Sequence, residues 1–379
     1  MTYLDNAATT YPKPEAVYQA MDKVNRKVVN AGRGSYKTAH EMSCIVAETK
    51  DKIRKLVKAD IDIPVIFSPS ITIALNQIIH GLGIKEGENI YVSPYEHNAV
   101  ARTVEHVASK MNIKVIELPL DERLEIDIEK MKYLFSKKRP SYVFCTHVSN
   151  VTGYILPVKQ IFEESKKYNC VTVLDSAQSL GLIPVDCRLL NADIIAFAGH
   201  KTLYGPLGIG GFINVSKVKL DVFIAGGTGS DSLNLNMPSS LEGKYEPASM
   251  NITAVSGLNA ALDEVNQESI LLKERELTEL LINKLSQIDS IRVLSPYSPE
   301  NRVGIVSIVA DGLNADDLGM ILDEDYDIAV RTGYHCAPYI HQYLNDMNSL
   351  GTVRISIGRF NTIDDIDDIV DALKEIVNE

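Results

Sequence analysis

The chain has 379 residues, 45% of them hydrophobic, so it can bury a core large enough for two lobes. Its formal net charge of -12 disfavours nucleic acid as a partner, because binding to a phosphate backbone requires a basic surface. The sequence contains no run of about 20 apolar residues that could span a membrane. It opens without the basic and apolar regions of a signal peptide, and a cytoplasmic location is therefore expected.

The cysteines form no CxxC pair and no cluster with histidines at ligand spacing. The pattern predicts neither a metal site nor a disulfide framework. Reduced structural thiols are expected at four positions, namely Cys44, Cys145, Cys170 and Cys187. Cys336 stands apart because its neighbours are polar and turn-forming residues.

The first half of the chain predicts a mostly parallel sheet. Helical periodicity covers residues 15–29 and 39–57. Short β-branched runs then alternate with amphipathic stretches, a pattern typical of βαβ units. The predicted strands are 65–67, 90–93, 114–118, 142–147, 172–174, 193–197 and 210–214, with helices at 72–82 and 99–110 among them.

The second half predicts a smaller domain. Residues 226–243 are rich in Gly, Ser, Asn and Pro, which indicates a loop or linker. A long helical stretch, several strands and a last helix follow, at 253–288, 291–294, 303–309, 328–331, 352–356 and 363–377. We therefore expect a large α/β domain over 14–253 with a seven-stranded, mostly parallel sheet. A smaller α+β domain over 254–379 would also include residues 1–13.

Ligands of open α/β sheets bind at the carboxyl ends of the strands, and Lys201 follows the predicted strand 193–197. Partial desolvation there lowers the pKa of a lysine and frees its amine to form a Schiff base. Position alone would leave Lys201 an ordinary lysine. Asp175 follows the preceding strand, and pyridoxal phosphate needs a carboxylate against its pyridinium nitrogen. The pair together favours that cofactor.

A series of motifs along nearly the whole chain supports this reading. In order, they are Leu4 to Thr10, Arg33-Gly34, Glu96-His97, His147 to Asn150, Asp175 to Gln178, Gly199-His200-Lys201, Gly226 to Ser230, Arg331 to Pro338 and Arg354. Their order and spacing resemble the class V aminotransferases of the type I pyridoxal-phosphate transferase fold. Within that family the chain is most similar to the cysteine desulfurase and selenocysteine lyase branch.

The resemblance implies a role for each residue around the cofactor ring. Lys201 would form the covalent link and later move the proton at the substrate Cα. His97 would stack on the ring, Asp175 would pair with the ring nitrogen, and Gln178 would donate to the phenolic oxygen. The implied catalytic residues are therefore Lys201, His97 and Cys336.

The cofactor phosphate is where the chain departs from the family pattern. Phosphate would be held by Thr72 and the helix that it begins, by His200, and by Ser249 from a second subunit. This implies a homodimer with composite active sites. At three positions near these residues the family commonly has other residues than this chain, which has Ser70, Ile73 and Ala198. Fewer hydroxyl groups predict weaker cofactor binding.

For the substrate, the resemblance makes Asn150 and Arg354 the clamp on the carboxylate, for which the fork of arginine is well suited. Cys336 matches the cysteine that accepts sulfur, in a short loop like that of relatives with a constrained cysteine. His335 either helps to deprotonate this thiol or faces away from it, and the sequence favours neither.

The predicted function is conversion of L-cysteine to L-alanine, with sulfur left on Cys336 as a persulfide for an acceptor protein. A lyase acting on L-selenocysteine is the nearest alternative and would need Cys336 less. Transamination or β-elimination by another class V enzyme, and a non-catalytic sulfur-transfer scaffold, remain further alternatives.

Overall fold

The computed structural model describes residues 1–31, 34–229, 232–294 and 298–378, which form three sheets, of seven, four and two strands, and the helices packed on them. The strands are β1 (Thr2–Tyr3), β2 (Val65–Ser68), β3 (Ile90–Val92), β4 (Val115–Glu117), β5 (Tyr142–Thr146), β6 (Val171–Asp175), β7 (Ile194–Ala198), β8 (Gly210–Asn214), β9 (Ile291–Val293), β10 (Ile305–Ala310), β11 (Ile328–Ala329), β12 (Arg331–Gly333) and β13 (Thr352–Ser356).

The helices are α1 (Glu15–Asn25), α2 (Lys37–Leu56), α3 (Ile71–Gly81), α4 (Asn98–Lys110), α5 (Ile128–Lys137), α6 (Val158–Lys166), α7 (Leu241–Tyr245), α8 (Ile252–Asp263), α9 (Gln267–Leu285), α10 (Ala315–Tyr326), α11 (His341–Leu344) and α12 (Ile363–Asn378). None of the described helices is long and apolar enough to cross a membrane.

The large sheet has seven strands in the order β2-β8-β7-β6-β5-β3-β4. The five strands from β3 to β7 run parallel, and only β8 is antiparallel to both of its neighbours. Central strands such as β5 and β7 are buried along their whole length, as expected of a sheet covered by helices on both faces. The predicted fold, a mostly parallel seven-stranded sheet, is confirmed.

Alternate residues of β7 point into different cores. Ile195 and Phe197 pack in the cluster that includes residues of α2, α6 and α8. Ala196 and Ala198 pack in a second cluster with residues of α3 and α4. Ala198 therefore lies on the face of the sheet that α3 covers.

The second sheet is antiparallel, in the order β12-β13-β10-β9, and packs against α9, α10 and α12. The N-terminal strand β1 pairs with β11, and Asp5 forms a further bridge with Ser356 on β13. The first residues thus lie beside the last third of the chain. The division at residues 13 and 253 stays a prediction.

Three predicted element boundaries were wrong. The helical stretch 253–288 is two helices, since the chain leaves the helix after Asp263 and Asn266 caps α9 by accepting from the Ser269 amide. The helix predicted at 15–29 ends at Asn25. The strand predicted at 328–331 is two short strands, β11 and β12, that pair with different partners.

Candidate active site

The candidate site lies at the carboxyl edge of the large sheet. Asp175 ends β6, while Lys201 and His97 follow β7 and β3. In-register pairing sets Thr146 of β5 opposite Asp175, and Asp175 opposite Ala196 of β7. Parallel strands in register end together, so the sheet itself brings these predicted residues to one edge.

Lys201 is the cationic group at the centre of this edge. Burial lowers the pKa of its amine to about 8, opposed by attraction to Asp175 and assisted by the positive charges of Arg354 and Arg331. Burial also raises the pKa of Asp175, although the Ala177 amide donates to its Oδ1 over 2.9 Å. Lys201 is therefore closer to the neutral, nucleophilic state than an exposed lysine.

His97 is held as a neutral imidazole. Its Nδ1 accepts from the amide of Ala99 over 3.0 Å, so the side chain caps the N-terminus of α4. Burial first, and then the charge of Lys201, lowers the pKa of His97 to about 3. The ring consequently has one fixed tautomer and orientation, which suits the predicted stacking on an aromatic cofactor.

Glu96 holds the residues around His97 in place. Its carboxylate is fully buried and accepts from the Ser93 hydroxyl and from the Thr146 amide, each over 2.5 Å. Burial raises its pKa to about 8. Glu96 thus ties the end of β3 to the end of β5 and fixes the residue that follows it. In the sequence, Glu96 lies three residues after the predicted strand 90–93, and the family resemblance assigns a role only to His97 beside it.

Gln178 and His200 lie beside Lys201 but contact the N-terminal segment. The Gln178 Nε2 donates to the carbonyl of Ala7 over 2.8 Å. The His200 carbonyl accepts from Lys13 Nζ over 2.8 Å, while its ring Nδ1 is buried without a hydrogen-bond partner among the described residues. Burial lowers the pKa of His200 to about 4.

Of the predicted phosphate residues, Thr72 lies at the beginning of α3. Ser70 caps that helix by accepting from the amide of Ile73, and Thr72 is exposed in its first turn. A Cβ on Gly210 would lie 2.8 Å from the amide nitrogen of Ile71, so only glycine fits against this turn. The neighbouring Ala198 is 2% exposed. Free amides at this helix end suit an anion.

Ser249 is not joined to this group by any contact among the described residues. It is exposed, and its Oγ accepts from the Asn30 Nδ2 of the same chain over 3.0 Å. The expectation that it completes a second subunit's site stays a prediction. Two residues of the family motifs, Arg33 and Ser230, lie outside the described residues.

Arg354 is fully buried on β13, an inner strand of the four-stranded sheet. One Nη donates to Asp5 Oδ1 over 2.6 Å and the other to the Asn150 carbonyl over 3.0 Å. Its Nε is buried and has no partner in the described part of the chain. Arg354 thus contacts the backbone of Asn150, and the role of the two residues in holding a substrate carboxylate stays a prediction. The sequence motif that contains Asp5 gives no sign of this ion pair.

Cys336 is partly buried and borders a cleft with a volume of about 1060 Å³, lined chiefly by α4 and residues 331–347. The Cys336 carbonyl accepts from the Asn98 amide over 2.6 Å, and the Asn150 Nδ2 donates to the carbonyl of His335 over 2.8 Å. These two hydrogen bonds hold the backbone of both His335 and Cys336 in place.

The side chain of His335 is buried and bonded to the four-stranded sheet. It is 2% exposed and its Nε2 shares a hydrogen bond of 2.7 Å with the Thr352 hydroxyl. Burial holds the pKa of His335 well below its ordinary value. A neutral, buried ring bonded to β13 is a structural group, so of the two alternatives the geometry favours the one that gives His335 no part in deprotonating Cys336.

The residues at this edge fit pyridoxal phosphate. The buried carboxylate of Asp175 would pair with its ring nitrogen, and the neutral imidazole of His97 would lie against its ring face. Lys201, with its lowered pKa, would bind the aldehyde, and the first turn of α3 would hold the phosphate. No group of three or more side chains in the described ranges could hold a metal ion.

Comparisons with known proteins agree with this arrangement. The family model "Aminotransferase class-V" matches residues 2–369. A probable cysteine desulfurase of Halalkalibacterium halodurans is 31% identical, with 99% of this chain and 93% of that protein covered. One from Methanothermobacter thermautotrophicus is 30% identical over 99% of this chain and 94% of its own length.

Solved structures give the same result. The apo cysteine desulfurase of Thermococcus onnurineus NA1 has a TM-score of 0.88 at 27% identity and covers 99% of this chain and 94% of its own. The Escherichia coli cysteine desulfurase CsdA, in an S-sulfonic acid form, has a TM-score of 0.84 at 26% identity over 100% of this chain and 94% of its own. With its family model, relatives and fold in agreement, the chain belongs to the class-V aminotransferase family.

Proposed function

We propose that this protein is a pyridoxal-phosphate-dependent cysteine desulfurase that converts L-cysteine to L-alanine and receives the sulfur on Cys336. The observation that carries the proposal is the position of Cys336, whose carbonyl accepts from the amide of Asn98, the residue after His97, while the Asn150 side chain donates to the carbonyl of the preceding residue. A thiol held next to the residues of a class V site provides a sulfur acceptor that transamination does not require. The names of the relatives point to the same reaction.

The cofactor, when bound, supplies the electron sink that makes the substrate Cα acidic and its Cβ–S bond breakable. Lys201 is the group that removes and returns the Cα proton, because its pKa of about 8 lies near neutral pH. Arg354 and Asn150 hold the substrate carboxylate, which fixes the direction of the Cα–H bond. The unpartnered Nε of Arg354 is available for that contact.

Cys336 carries out the sulfur transfer. Its thiolate attacks the substrate sulfur, so that an S–S bond forms while the Cβ–S bond breaks. The electron pair of the broken bond stays with carbon, which takes up one proton and becomes the methyl group of alanine. The enzyme is left with a persulfide, and an acceptor protein would collect the outer sulfur atom from the cleft beside α4.

We also propose a homodimer with composite sites. Several large apolar side chains are strongly exposed in the segment that follows β8, including Leu233 at 99% and Leu235 at 102% of full exposure. Side chains so exposed favour a protein partner over solvent. Ser249 lies between this segment and α8, and it would reach the phosphate of the second subunit.

The test is a single turnover with L-cysteine in the absence of a reductant. We expect one alanine per chain and a mass increase of one sulfur atom that maps to the Cys336 peptide. Cys336→Ser should make no persulfide, yet should still exchange the Cα proton of cysteine with deuterium from the solvent. Cys44→Ser, which removes an exposed cysteine elsewhere, is the matched control and should behave as the wild type.

Two outcomes would contradict the proposal. Persulfide formation by Cys336→Ser would remove Cys336 from the reaction. Release of ammonia or a keto acid without alanine would indicate β-elimination or transamination. Parallel assays with L-selenocysteine distinguish a lyase, because selenium release from that substrate would then continue in Cys336→Ser.

A further inference from the structure

Arg331 contacts the sulfur of Cys336 and has no other described role. It begins β12, and its Nη2 donates to the Cys336 Sγ over 3.2 Å. None of the carboxylates in the described part of the chain lies within ion-pair distance of it. A partly buried guanidinium that lacks a carboxylate and points at a thiol is available to stabilise negative charge on that sulfur.

The charge of Arg331 faces the cavity that the site residues share. It contributes to the lowered pKa of Lys201 and of His97, behind burial in both cases. β12 pairs with β13 so that Arg331 lies directly opposite Arg354. The two arginines therefore enter the site side by side from one sheet, and of the two only Arg354 has an acidic partner, Asp5, within the described ranges.

The backbone directs the sulfur toward Arg331. His335 and Cys336 both adopt left-handed conformations, with φ of 48° and 57°. Such values are uncommon for residues with a Cβ and persist when surrounding contacts impose them. Here the imposing contacts are the bonds from the Asn98 amide and the Asn150 side chain to this turn.

We propose that Arg331 is a catalytic residue that holds the Cys336 sulfur as a thiolate before transfer and then binds the persulfide anion that results. This rests on the proposed function. No proton leaves Arg331 at any stage, because a guanidinium stays charged. The charge partner of the nucleophile is thus an arginine five residues earlier in the chain, and the adjacent His335 is bonded to Thr352 instead.

The test measures alkylation of Cys336 by iodoacetamide in the holoenzyme without substrate, followed by peptide mass spectrometry. Only the thiolate reacts, so Arg331→Met should slow alkylation near pH 7 about tenfold, the lower end for loss of a hydrogen bond to a charged group. The difference should disappear above about pH 10, where a thiol ionises without help. Arg331→Lys keeps the charge, and its alkylation rate should lie between those of the wild type and Arg331→Met.

Arg102→Met is the matched control, because Arg102 is an exposed arginine that lines the same cleft. It should alkylate as the wild type does. Equal alkylation rates for wild type and Arg331→Met across the pH range would overturn the proposal. So would a higher KM for cysteine with unchanged alkylation, since Arg331 would then bind substrate.

The two proposals fail in different ways. Alkylation requires no turnover, so the role of Arg331 can be judged even in a protein that makes no alanine. Slower alkylation in Arg331→Met together with the absence of a persulfide in the wild type would uphold the contact and reject the desulfurase reaction. Because Arg331→Lys retains the charge, its folding and cofactor absorbance provide a second check on structural damage.

Discussion

Replacement of Asp5 by asparagine tests how Arg354, which we propose binds the substrate carboxylate, is held in place. Asp5 is the only acidic partner of Arg354 among the described residues, and the guanidinium is fully buried. Asparagine keeps the shape and one acceptor oxygen but removes the charge. Breaking a buried ion pair costs about 3 to 5 kcal/mol, and we expect about 2 kcal/mol here because Asp5 is 21% exposed and asparagine can still accept.

The assay is urea unfolding of Asp5→Asn and wild type at one protein concentration, with the loss of stability read from the midpoint at constant slope. Asp22→Asn is the control, because it removes an exposed ion pair with Arg26 at 2.8 Å, from which no measurable change is expected. If the two variants unfold at the same midpoint, the Asp5 charge does not compensate that of Arg354, and the reasoning about the clamp is refuted.

Four further predictions concern pH, stability, cofactor affinity and assembly. Because the pKa of Lys201 is about 8, reductive methylation of Lys201 in apo-protein should rise with pH up to about 8 and then level off, whereas exposed lysines keep rising toward about pH 10; parallel curves would refute this. Burial raises the pKa of Glu274 to about 8, so the folded state holds a proton that the unfolded state loses from about pH 4.5 upward. Stability from this group is complete at low pH and is lost as the pH rises through about 8, so Glu274→Gln should gain stability relative to wild type at pH 9 but not at pH 4, as thermal unfolding at both pH values would show. Ala198→Thr should bind pyridoxal phosphate up to about tenfold to a hundredfold more tightly if its hydroxyl reaches the phosphate, and an unchanged dissociation constant in a titration of apo-protein would mean that it does not. Mixed dimers of inactive Lys201→Ala and Ser249→Asp chains should recover activity at one of their two sites, and verified subunit exchange without recovery would reject a composite site.

The large sheet could be predicted from the sequence because its strands are buried on both faces. Runs such as 142–147 and 193–197 are then almost continuously apolar, and each ends in polar residues where the site lies. The break between α8 and α9 could not be predicted in the same way. Apolar residues continue at helical spacing through 253–288, and the interruption depends on one capping residue, Asn266.

The identity of the site residues was easier to predict than their partners. Lys201, Asp175 and His97 follow strands that any α/β arrangement brings to one edge. The contact between Arg331 and Cys336 depends on two consecutive left-handed residues, and no composition or periodicity signals that conformation. Ion pairs between distant segments cannot be predicted from a single sequence either, because each partner alone resembles a surface charge.

The pairing of Asp5 with Arg354 has a consequence for synthesis of the protein. The two residues are 349 positions apart in the sequence, and β1 pairs with β11, which is also made late. Chains emerge from the ribosome with the N-terminal end first, so the start of this chain remains without its partners until nearly the whole chain has been made. All strands of the large sheet, and Lys201, precede residue 215 and are therefore made long before Arg354. Under the proposed function such an unfinished chain lacks the arginine that would hold the substrate carboxylate, so we expect it to be unable to release reactive sulfur in the cell.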